Sequence, residues 1–218
     1  MSKKEEKQKG AVLTAFIDTT LEKEAFPLSV FKFCKDNDIE ENFFYKHFGS
    51  LDAVKGQIWE FFYDNAMGLL EKDATFENAS PKDKLLSFYF TFFEVLLLNR
   101  SYVLFSLSSH QSNRVKMSQL SKMRSSFKDF AEDLIDTGNA NKNESYLQHP
   151  PKIFSEGAWI QFAFLMKFWI NDTSVDFEKT DQAIEKSVQT AFDLFDNTPL
   201  GTLVDFGKFL WKEKFVFN

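Results

Sequence analysis

The sequence is poor in the residues that carry most site chemistry. One cysteine, Cys34, excludes an internal disulfide and any cysteine-based zinc cluster. The three histidines, His47, His110 and His149, show no metal-ligand spacing. Only three of the 26 basic residues are arginines (Arg100, Arg114 and Arg124), and the net charge is −6, so the totals hold no broad phosphate-gripping stripe. The richest apolar runs, Phe88 to Leu98 and Ala158 to Ile170, fall short of the roughly 20 residues a membrane span needs. The first ten residues are charged, which predicts no secretory leader and a cytoplasmic chain. No G-x-S-x-G, glycine-rich phosphate loop or H-E-x-x-H occurs, so neither catalysis nor a cofactor is expected.

What the chain has in excess is phenylalanine, 28 in 218 residues, with few helix breakers: five prolines and eight glycines. Alternation with period two never lasts the length of a strand, whereas apolar residues recur at helical spacing. The fold expected is all-α. A first helix over about 5–23 carries Ala11, Leu13, Phe16, Ile17 and Leu21 on one stripe. Ser29 is a natural N-cap for a short helix to Asp36, Asn37-Asp38 marks a turn, and a third helix runs through His47 to Gly49. A fourth spans about 52–72. Ser80-Pro81-Lys82-Asp83 starts a fifth, since Pro suits the first helical position and an acid suits the first turn. Further helices are predicted over 102–108, 115–135, 152–171 and 177–196, with a last one from about Pro199; Thr137 to Gln148 is predicted as a loop.

A helix, a short helix, a tight turn and a second short helix follow the helix-turn-helix plan, whose second short helix can enter the major groove. The stretch from Ser29 to Val54 resembles the DNA-binding segment of the TetR (tetracycline-repressor-like) family. Ser29, Val30, Phe33, Ile39, Phe44, Tyr45, His47, Phe48, Ser50 and Val54 match the family pattern, and Phe44-Tyr-Lys-His-Phe-Gly-Ser50 is its most specific part. Tyr45, His47 and Phe48 would equally serve as core packing. The resemblance implies two domains: a three-helix DNA-binding-like head over 1–50, and a helical body over 51–218 that binds a ligand and dimerises. It implies a ligand-responsive repressor of operator DNA, with Lys3, Lys4, Ser29, Glu40, Asn42, Phe43, Tyr45, Lys46 and His47 at the DNA.

Two departures bear on that function. Glu40 and Glu41 stand where the family places small or donor residues, and Leu51 replaces its backbone-contacting lysine. Asp38 takes the place of the family's turn glycine. Residues 1–50 hold eight lysines against nine acids, although Lys3, Lys4, Lys7 and Lys9 cluster. The alternative is a TetR-fold protein that has lost operator binding and carries a lipid or isoprenoid, or docks a partner protein.

In the body, helix 85–98 is apolar around most of its circumference. Phe88, Phe92, Tyr102, Phe105, His110, Trp159 and Phe162 are candidates to line a pocket for a small apolar or aromatic effector. Each also suits plain core filling. The segments 152–171 and 177–196, the second with Ile184, Val188, Ala191, Phe192 and Phe195 on one side, are candidates for a two-fold dimer interface.

Overall fold

The structure, a computed structural model, describes residues 3–108, 113–140 and 150–197. Among these residues it consists of α-helices without strands, as the periodicity predicts. The helices are α1 (Lys3–Lys23), α2 (Val30–Asp36), α3 (Glu41–His47), α4 (Leu51–Leu70), α5 (Pro81–Leu97), α6 (Arg100–Ser106), α7 (Asn113–Ala140), α8 (Pro151–Asn171) and α9 (Glu178–Asn197). None is long and apolar enough to cross a membrane. The predicted helix from Pro199 and predicted loop residues 141–148 lie outside the described residues.

Two compact units form. The first comprises Met1–Asp64 with Val95–Met123. Its core is a chain of rings: Phe16 meets Phe33 edge-on at 5.7 Å, Phe33 meets Phe44 at 6.1 Å, and Phe44 meets Phe48 at 5.5 Å. Phe16 and Phe44 are wholly buried, so the three short-range helices of the head are pinned by aromatic contact. Local chemistry sets the helix ends. Ser29, in extended backbone, accepts the Lys32 N–H on its hydroxyl at 3.4 Å and starts α2. Asn37 closes that helix by donating to the Phe33 carbonyl at 2.8 Å and to the Thr19 hydroxyl of α1 at 3.2 Å. Gly49, at φ 74°, ends α3 in the left-handed region, and Ser50 caps α4 by accepting the Ala53 N–H.

The second unit comprises Asn65–Glu94 with Arg124–Asn218. Its α5 starts as Ser80-Pro81 predicts: Ser80 accepts the Asp83 N–H at 3.2 Å and returns its hydroxyl proton to the Asp83 carboxylate at 2.6 Å. Phe88 and Phe92 of α5, Phe127 of α7, and Trp159 and Phe162 of α8 fill the interior. Tyr89, wholly buried among them, donates to the Ala158 carbonyl at 3.2 Å; burial pushes its phenol well above the ordinary range. Asp172 ties the α8–α9 corner: Oδ2 accepts from the Thr180 amide and hydroxyl (2.9 and 2.6 Å), Oδ1 from those of Ser174 (2.9 and 2.7 Å).

Two expectations require correction. Residues 137–140 are helical rather than part of a loop. Thr137 donates to the Asp133 carbonyl at 2.9 Å, as a helical threonine does. The Ile184 and Val188 stripe of α9 is also wholly buried within this unit against α8, with Gln161 donating to Ser187 at 3.0 Å and Phe154 meeting Phe192 at 5.6 Å. That stripe therefore closes the chain's own core. The Phe195 side chain lies outside what is described.

Candidate nucleic-acid interface and effector site

The turn between α2 and α3 is built for a helix-turn-helix. Asp38 adopts φ 53°, the left-handed conformation for which the family uses glycine and which Asp tolerates better than most residues. Ile39 donates to the Cys34 carbonyl at 2.9 Å and locks the turn onto α2. Phe44 and Phe48 then bury one side of α3, leaving Glu41, Asn42, Tyr45 and Lys46 exposed.

The predicted DNA residues separate into three groups. Lys4, Ser29, Glu40, Asn42, Tyr45 and Lys46 are exposed; Lys3 opens α1, but its side chain is not described. Phe43 and His47 turn toward each other, ring centroids 4.4 Å apart, and His47 Nε2 is buried with no hydrogen-bond partner. Lys46 is exposed but occupied, its ammonium 2.9 Å from the Glu5 carboxylate of α1. Glu40 precedes α3 and caps it only through its backbone, with no side-chain cap bond. Both Glu5 and Gln57, which donates to the His47 carbonyl at 3.2 Å, shape this site without having been singled out from the sequence. Glu5 and Lys46 are 41 positions apart, and no local pattern pairs them.

The candidate effector residues divide between the units. Phe88, Phe92, Trp159 and Phe162 come together in the second. Phe88–Phe92 and Phe92–Phe162 centroids are 5.5 Å apart, and Trp159 stacks on Phe162 at 5.0 Å. Phe127, which the sequence reading passed over, sits 5.5 Å from Phe162 and completes this cluster. Tyr102 and Phe105 belong to the first unit. Tyr102 is wholly buried, its hydroxyl has no hydrogen-bond partner, and burial drives its phenol upward; Phe105 packs edge-on to Phe26 at 5.1 Å. His110 lies outside the described residues. A separate open groove of about 350 Å³ lies where α8 passes into α9, between Phe164, Phe168, Lys167 and Lys179. No group of His, Cys, Asp or Glu among the described residues is arranged to hold a metal ion.

A family model described as tetracyclin repressor-like, C-terminal domain, matches residues 84–210, more than half of the chain. The chain belongs to the TetR family. No curated protein matches it. The matched span opens inside α5 and takes in α6 to α9, so TetR membership is carried by the body. The two short helices α2 and α3, joined at Asp38, lie upstream of that span.

Proposed function

We propose that this TetR family chain is a ligand-responsive transcriptional regulator that binds operator DNA as a homodimer in the cytoplasm. The observation that carries this reading is the pair of short helices joined at Asp38, with one face of α3 open to solvent, in a chain whose body is TetR-like. The exposed Asn42 and Tyr45 are free to meet DNA beside the exposed cap residue Ser29, and Lys3 and Lys4 open α1 ahead of Glu5 and Glu6. A small apolar or aromatic effector in the Phe-rich body would act by binding two states of the protein unequally. The homodimer would form through the outward side of α8 and α9, where Ile160, Phe164 and Leu194 are exposed.

The test is binding of the full chain to duplex from its own upstream region across a salt series. Preference for that duplex over random sequence, weakening steeply with salt, is the expected result. Equal binding to both at low salt would overturn it.

A second reading has its own observation. Glu40 and Glu41 are exposed beside the open face, Lys46 is held by Glu5, and the phosphate-binding lysine position is Leu51. Acids there repel phosphate and leave few free cations. On this reading the chain keeps the TetR fold as a lipid or isoprenoid carrier, or as the accessory of a partner protein. Co-purified lipid identified by mass spectrometry, together with absence of operator preference, would favour it.

A further inference from the structure

The exposed face of α3 can be sorted by which side chains are already committed. Phe44 and Phe48 are core, Phe43 and His47 are stacked on each other, and Lys46 is paired with Glu5. Asn42 and the Tyr45 hydroxyl have no hydrogen-bond partner among the described residues. At 3.6 residues per turn, Asn42 and Tyr45 lie about 60° apart around the axis and about 4.5 Å apart along it. Glu41 and Lys46 flank them at the two edges of the face.

We infer that Asn42 and Tyr45 read an adenine and a thymine at adjacent base pairs of the operator half-site, an inference that rests on the DNA-binding reading above. The carboxamide of Asn42 offers one acceptor and one donor in a plane. Adenine is the base whose major-groove edge returns that pair, N6–H donating and N7 accepting; guanine offers two acceptors there and would leave the carboxamide oxygen facing a lone pair. Tyr45 is half exposed, at 52%, and its ring is fixed edge-on to the buried Phe44 ring at 5.7 Å and 88°. A fixed apolar ring suits the thymine 5-methyl group, the apolar feature of the major groove. The axial separation of the two side chains is close to the roughly 3.4 Å step between base pairs, which places their targets next to each other. Glu41, at the edge of the same face, adds a penalty against the acceptor-rich edge of guanine.

The test is selection of sites from a random duplex pool by the full chain. The selected site is then remade with 7-deazaadenine, which lacks N7, and with uracil, which lacks the methyl group. The parent protein should lose about tenfold to a hundredfold in affinity on the first change, and Asn42→Ala should be indifferent to it. Uracil should weaken the parent several-fold and leave Tyr45→Ala unaffected. A selected site without adjacent adenine and thymine, or an Asn42→Ala variant as sensitive to 7-deazaadenine as the parent, would overturn the assignment while leaving DNA binding intact. A pool yielding no enriched sequence would overturn the DNA-binding reading and this assignment together. Asn42→Ala removes no core packing, and Tyr45→Ala removes one edge contact with Phe44, so unchanged helical content of that variant is the control for folding.

Discussion

Asp38 holds φ 53° at the turn on which the orientation of α3 depends. An L-residue with a side-chain branch at Cβ pays about 1–2 kcal/mol there, and aspartate pays less. Asp38→Gly should therefore hold or raise the midpoint of urea unfolding, and Asp38→Val should lower stability by about 1–2 kcal/mol. Asp172 makes a different argument. The Thr180 hydroxyl bond, opposed by burial and reinforced by Ser174, holds its carboxyl well below the usual range. A carboxylate with a depressed native pKa adds stability that is complete above its unfolded value of about 4 and is lost as pH falls through the native value. Urea titrations from pH 7 to pH 2 should show Asp172→Ala destabilised at neutral pH, with the gap to the parent narrowing in acid. A gap that stays constant would mean the carboxylate's charge contributes nothing. The turn at Asp38 was legible because Asn-Asp is itself a turn signal. The role of Asp172 was not, since Thr180, which gives it both an amide and a hydroxyl bond, sits eight residues on, across a helix corner.

Helix beginnings were the most readable elements, because a cap is a contact between residues two or three positions apart. Ser29 and Ser80-Pro81 both start helices where chemistry places them. Helix faces were less readable. The periodicity of α9 shows an apolar side but not what covers it; α8 of the same chain does. The end of α7 was less readable because TGNA is polar and turn-prone, yet within the helix the Thr137 hydroxyl bonds back to the Asp133 carbonyl. The Phe-rich candidate list shows the same limit. Four of its members meet in one cluster, but Phe127, on a helix of ordinary composition, stands at the cluster's centre, touching Phe88, Trp159 and Phe162. Phe92 is wholly buried there, so Phe92→Ala should cost about 3–5 kcal/mol in equilibrium unfolding. A much smaller loss would mean the neighbouring rings collapse into the space.

At the scale of the molecule, association is the open variable. Ile160 and Phe164 are 60% and 53% exposed on consecutive turns of α8, a costly arrangement for a chain that works alone. Sedimentation of the parent should give a dimer, and Ile160→Glu with Phe164→Glu should give a monomer with unchanged helical content. A parent that sediments as a monomer, or a variant that remains a dimer, would exclude this face as the interface. The net charge of −6 bears on the head chiefly through Glu40 and Glu41 beside α3. The single cysteine has a consequence of its own. Cys34 is 1% exposed inside the helix-turn-helix, and burial, then the Glu41 charge, raise its thiol pKa, so the native head shields it twice over, by access and by protonation. A thiol reagent can reach it only when α2 lifts away, so the labelling rate becomes a clock for local opening of the head, with no competing sulfhydryl anywhere in the chain.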